Sequence, residues 1–265
     1  MKATVVVHRV APAAAAHVET LVAGIQHAAD QGSDLVMFSE VATTGSINTD
    51  QPHEDRGLGV AIPGPVVGRL QDCAAQHRIH VALGLFERDG NRLFDTALLI
   101  DRAGAIRLTY RRITSGWHHP RADPNFYAEG TTLTASETDF GSVCFLICGD
   151  LFDDALADRV HRLHPDYLLV PFARSFAGGG HSQEQWDRAE HDAYAKQVKR
   201  AGSTTLLVNY LDAEYFGGAF AFSRAGHLLA CVPLGRAEAL TFAVPREQRP
   251  QHGAAAQTSR GGAKA

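Results

Sequence analysis

The chain has 265 residues, 45% of them hydrophobic and 20% charged, with a formal net charge of −4. That is enough chain for one large core, and no apolar run is long enough to span a bilayer. Lysine and arginine are scattered rather than banded with aromatics, which argues against nucleic acid as the main ligand.

In chain order, a first apolar run predicts a strand over 3–8; His8 and Arg9 interrupt it too early for a secretion signal. A helix follows over 14–31, then a strand over 34–38 and a helix over 64–77. Three strands come next, over 79–86, 94–101 and 105–111, the first two joined through Asp89-Gly90-Asn91. The second half reads as a strand over 141–147, a helix over 152–163, a strand over 166–171 and a helix over 184–201. Four strands close the pattern, over 204–209, 217–223, 227–232 and 239–244, with a turn at Arg224-Ala225-Gly226. Eleven strands with four helices imply an α/β chain of mixed sheets with helices packed outside. One domain over 1–245 accounts for all of it, and the polar, Gly- and Ala-rich stretch 246–265 is expected to be a disordered tail.

The four cysteines, Cys73, Cys144, Cys148 and Cys231, have no CxxC spacing, so reduced thiols and a cytoplasmic location are expected. Cys73 lies on a helical apolar stripe and Cys144 and Cys231 in strands, all core-like positions. Cys148 differs. It follows the apolar run Val143-Cys144-Phe145-Leu146-Ile147 and precedes Gly149-Asp150 and a helical segment. A thiol at such a turn, beside glycine and facing helix amides, is placed as a nucleophile would be, although core packing is the commoner fate of a lone cysteine.

Glu40 follows the apolar segment Asp34-Leu35-Val36-Met37-Phe38-Ser39, where α/β enzymes collect catalytic groups, with a surface carboxylate as the plain alternative. Arg111-Arg112 follows the strand Ile106–Tyr110 and, alone, reads as an exposed basic strand end. His118-His119 has no metal-ligand spacing around it, and Gly178-Gly179-Gly180 lacks any phosphate-loop pattern, so neither metal nor cofactor is expected.

Together and in order, these segments resemble the nitrilase, or carbon-nitrogen hydrolase, superfamily. The three contexts that carry the likeness are Phe38-Ser39-Glu40, Tyr110-Arg111-Arg112 and Ile147-Cys148-Gly149-Asp150. Further matches are Ile62-Pro63-Gly64-Pro65, Ala82–Arg88, Phe94-Asp95-Thr96-Ala97, Leu168-Leu169-Val170-Pro171, Val208-Asn209 and Gly217-Gly218.

The resemblance implies a four-layer α-β-β-α sandwich of two mixed sheets, with the site at the strand ends. It also implies a homodimer or larger homo-oligomer, and a small-molecule substrate. Cys148 would be the nucleophile and Glu40 the base. Arg112, with the Gly149 amide, would face the oxyanion. Arg112 stands where the family carries its catalytic Lys; a guanidinium holds its charge but cannot shuttle a proton. Asp123 matches the second family Glu, with Glu129 as the alternative, and an Arg112–Asp123 ion pair is the expected compensation.

Gly149-Asp150 after the thiol, rather than Trp-Glu, favours an amide or carbamoyl-amide over a nitrile. Trp117, His119, Phe172 and Arg174 are expected to line the pocket, Arg174 as a candidate partner for a substrate carboxylate. Three functions fit: a hydrolase working through a thioester, an acyltransferase using the same acyl-enzyme, and a non-catalytic binding protein that kept the fold.

Overall fold

The computed structural model describes residues 1–10 and 14–246. The first sheet has seven strands, ordered β13-β1-β2-β4-β5-β6 with β3 also paired to β4. They are β1 (Lys2–Val7), β2 (Leu35–Met37), β3 (Val60–Ala61), β4 (His80–Asp89), β5 (Arg92–Ile100), β6 (Ile106–Arg111) and β13 (Glu238–Ala243). The second sheet, ordered β12-β11-β10-β9-β8-β7, is built from β7 (Ala135–Thr138), β8 (Gly141–Phe145), β9 (Tyr167–Pro171), β10 (Thr204–Val208), β11 (Gly217–Phe222) and β12 (Leu228–Leu234). Each sheet is mixed: β1, β2 and β4 run parallel, as do β8, β9 and β10, and antiparallel strands flank both trios.

Period-two alternation sorts the strand residues by layer. Ala3, Val5, Val7, Met37, Ala82, Ala97 and Leu99 turn toward the second sheet and share a core with Cys144, Leu168 and Val170. Their neighbours Val6, Val36, Phe38, Val81, Leu83 and Leu98 face outward. There they pack on α1 (Ala14–Asp30) and α3 (Pro65–His77) through Leu21, Ile25, Val67, Leu70 and Cys73. On the far side, α4 (Asp154–Leu163) and α6 (His191–Ala201) cover the second sheet with Leu156, Val160, Tyr194 and Val198. The result is the four-layer α-β-β-α sandwich.

The helix ends follow local chemistry. Pro65 opens α3, Asp153 caps α4 by accepting from the Leu156 amide, and Gly202 closes α6 in the left-handed conformation.

Five elements differ from the sequence reading. The helix expected over 184–201 is two, α5 (Gln183–Ala189) and α6, broken at Glu190. The short α2 (Pro52–Asp55), β3 and β7 were not expected; two to four residues carry too little periodicity, and β7 alternates exposed with half-buried side chains at a sheet edge. The helix expected from 152 begins at Asp154, preceded by a 3-10 turn, η1 (Cys148–Phe152). Of the expected tail, Arg246 is described and pairs with Asp166 at 3.0 Å; the rest lies outside the described residues.

Candidate active site

Beyond β8 the chain stays extended through Ile147 and turns at Cys148, whose φ of 46° lies in the left-handed region. That conformation costs a non-glycine residue about 1–3 kcal/mol and persists only where its surroundings enforce it. Asp150 enforces it here. Fully buried, its carboxylate accepts from Tyr110 Oη at 2.6 Å, the Thr114 amide at 2.8 Å and the Ile147 amide at 3.2 Å. The Cys148 sulfur is left half-buried, 3.5 Å from the Ala173 carbonyl at the exit of β9. No α-helix amides cap the turn: α4 starts six residues on and spends its Leu156 amide on Asp153.

Glu40 enters from the end of β2. Its loop lies directly on β4, the Gly84 amide donating to Ser39 O at 2.9 Å and the Ala42 amide to Gly84 O at 2.8 Å. Only glycine permits this approach, since a Cβ at position 84 would stand 2.6 Å from the Glu40 Cα. Glu40 is 3% exposed, and the Cys148 thiol lies near enough to act on its charge.

Arg112 arrives from the end of β6 and is 5% exposed. Its Nη1 lies 3.0 Å from Glu40 Oε1 and 3.5 Å from Asp95 Oδ2, and its Nε donates to Thr114 Oγ1 at 3.3 Å. Nη2 rests over Gly149, where a Cβ would come within 2.7 Å of it. The structure therefore brings Cys148, Glu40, Arg112 and Gly149 together, from three strand ends and two sheets.

Burial dominates the electrostatics. It raises the Glu40 carboxyl to about 8; the nearby Cys148 adds to the rise and Arg112 opposes it. Burial also raises Asp95 well above the ordinary carboxylate range, with Glu40 beside it adding to the effect. Burial works against the charge on Arg112, but Glu40, Cys148 and Asp95 outweigh it and the guanidinium is held more firmly protonated than usual.

Asp123 is not brought to this cluster. It is exposed, and its carboxylate closes its own turn by accepting from the Asn125 amide at 2.9 Å and Asn125 Nδ2 at 3.1 Å. The expected Arg112–Asp123 pair is replaced by Arg112–Glu40 and Arg112–Asp95. The reason is sheet register: the Arg112 amide donates to the Asp95 carbonyl at 2.8 Å, so β5 and β6 hold the two side chains against each other. Glu129, the alternative, is tied to His118 at 2.8 Å.

Trp117 packs on Phe86 and Tyr127, and its backbone carbonyl accepts from Asn48. His119 is exposed and uses Nδ1 to accept from the Arg121 amide, with no contact to Cys148, Glu40 or Arg112. Phe172 is fully buried against Tyr194 and Phe216, so the apolar β9 exit feeds the core, and it is the backbone of Ala173 that faces the thiol. Arg174 pairs with Glu190 at 2.9 Å, which occupies the head group expected for a substrate carboxylate.

Asp95, quoted in the sequence reading only within the Phe94–Ala97 match, was given no role at the site. Its signal was a carboxylate inside the largely apolar strand Arg92–Ile100, where an unpaired charge is costly. Among the described residues no cluster of three or more His, Cys, Asp or Glu side chains could hold a metal ion, and no helix is long and apolar enough to cross a membrane.

Solved structures share this architecture. An amidase from Nesterenkonia sp. AN1, in a variant carrying acrylamide on its active-site cysteine, superposes with a TM-score of 0.77 at 17% identity, covering 92% of this chain and 93% of that one. A carbon-nitrogen hydrolase from Helicobacter pylori G27 gives 0.79 at 17% identity, covering 91% and 87%. An aliphatic nitrilase from Rhodococcus rhodochrous is 30% identical over 167 residues, 57% of this chain but only 44% of that protein. The match to the carbon-nitrogen hydrolase family runs over residues 2–249, essentially the whole sandwich. With that span added to the fold, the chain belongs to the carbon-nitrogen hydrolase family.

Proposed function

We propose that the protein hydrolyses a small amide or carbamoyl-amide through a thioester on Cys148. The observation that carries this reading is the convergence of the strained, half-buried Cys148 and the buried Glu40 carboxyl on Arg112, whose Nη1 holds that carboxyl and whose Nη2 lies over Gly149 beside the thiol. Glu40 takes the thiol proton as sulfur attacks the carbonyl carbon and returns it to the leaving nitrogen; it then activates water for deacylation. Arg112 Nη2, poised over Gly149, and the Gly149 amide face the developing oxyanion. A fixed positive charge suits that task, and nothing in it asks Arg112 to give up a proton.

The same thiol attacking a nitrile carbon is a second reading, favoured by the similarity to the Rhodococcus nitrilase. Ammonia release from matched amides and nitriles, with mass spectrometry of the Cys148 peptide, decides between them. We expect turnover of amides and a trapped acyl adduct that Cys148→Ser abolishes. Nitrile turnover without amide turnover would favour the second reading, and neither turnover nor adduct would leave a binding protein. Product formed only with an added amine acceptor would identify an acyltransferase. Self-association into a dimer or larger homo-oligomer, in a cytoplasmic setting, belongs to the same proposal, and sedimentation measures the assembly.

A further inference from the structure

Two buried carboxyls face a single cation at this site. Arg112 Nη1 touches Glu40 Oε1 at 3.0 Å and Asp95 Oδ2 at 3.5 Å, while Glu40 Oε2 and Asp95 Oδ1 are buried with no donor to satisfy them. The two carboxyls thus meet on one nitrogen of the guanidinium, each with an oxygen left unsatisfied. Two ionised carboxylates are acceptors only, so a proton held by one of them is what lets it donate to the other.

Among the described residues no other cation is paired with Glu40 or Asp95. Asp150 adds a third acidic group, its own oxygens occupied by Tyr110, Thr114 and Ile147. Cys148 adds a potential thiolate on the Glu40 side. Arg111, next in sequence to Arg112, is spent on Glu87 and Asp89, and Arg174 on Glu190.

We infer that Asp95 is a positioning residue that shares one proton with Glu40 across Arg112, and that this proton holds Glu40 in its proton-accepting form. The inference rests on the reading of Glu40 as the base. Neutral Asp95 donates to Glu40 and steadies its carboxylate, whereas an ionised Asp95 at the same place would repel that charge and drive Glu40 to stay protonated. Burial of both groups, which lifts each above the ordinary carboxylate range, favours keeping a proton within the pair.

During acylation the Cys148 proton moves to Glu40 as the S–C bond forms, and the pair then carries two protons. One leaves with the amine as the C–N bond breaks, and the pair returns to one. In deacylation a water proton takes the same route to Glu40 and then to sulfur as the C–S bond breaks. The proton exchange thus stays in the carboxyl pair, and Arg112 keeps its charge throughout.

Infrared spectroscopy tests the shared proton without any substrate. At about pH 9, where ordinary carboxyls are fully ionised, the wild type should retain one buried carboxylic-acid C=O band per chain, absent from both Asp95→Asn and Glu40→Gln. The pH profile of Cys148 alkylation by iodoacetamide tests the positioning role. Asp95→Asn, which keeps a neutral donor, should leave the midpoint within about half a unit, and Asp95→Ala should raise it by about one unit or more. No acid band in the wild type, or an Asp95→Asn midpoint lowered by about a unit as expected on losing a counter-charge, overturns the inference. Neither readout requires hydrolysis, so both apply equally to a protein that cleaves no amide, and failure of the shared proton is distinguishable from failure of the hydrolase reading.

Discussion

At Gly149 the absent side chain is the functional feature. A methyl there would come within 2.7 Å of Arg112 Nη2, which is part of the site rather than a free-swinging terminus: its neighbour Nη1 is fixed on two carboxyls and Nε on Thr114. Gly149→Ala is therefore expected to push the guanidinium off the oxyanion position proposed for it. A displacement of this kind is worth on the order of a hundredfold in kcat, with little change in melting temperature as long as Nη1 keeps its two carboxyl partners. Steady-state kinetics beside thermal unfolding separates the two effects. Equal losses of activity and stability would point instead to collapse of the η1 turn.

The η1 turn is where one element controls another. Cys148 holds a left-handed φ because Asp150, two residues on, anchors the turn to β6 through Tyr110 and to the loop after it through Thr114. Replacing Asp150 by Ala leaves a tyrosine hydroxyl and two amides without acceptors in a buried place. Each costs about 1–3 kcal/mol, so urea unfolding should show a loss of at least about 3 kcal/mol, with faster alkylation of Cys148 as the turn loosens. A stable variant with an unchanged alkylation rate would mean that the strain at Cys148 is held elsewhere. The same view of elements explains why Arg112 ignores Asp123: the β5–β6 ladder sets Asp95 beside it, while the Asp123 carboxylate is consumed inside its own turn.

Across the whole molecule the buried carboxyls link the site to global stability. Burial raises both Glu40, to about 8 from an ordinary value near 4.5, and Asp95, so the pair keeps a proton over a range in which the unfolded chain has lost it. The folded state therefore binds more protons there, and stability falls as pH rises from about 5 to about 8. Glu40→Gln removes this dependence and leaves Asp95 alone with Arg112, so its melting temperature should exceed that of the wild type by more at about pH 9 than at about pH 5. An equal difference at both values would show that the fold holds no extra proton on the pair.

The amino-acid sequence by itself determined the layers, because alternation along strands such as Lys2–Val7 and stripes along helices such as Pro65–His77 are set by local periodicity. Cys148, Glu40 and Arg112 stood out only through the resemblance of three short segments in one order; taken singly they read as a core cysteine, a surface carboxylate and an exposed basic strand end. Sequence position said nothing reliable about partners across strands. The choice of Asp95 over Asp123, the burial of Phe172 and the engagement of Arg174 by Glu190 were decided by register and packing. Those distances depend on how two sheets close on each other, a non-local arrangement that no window of residues encodes.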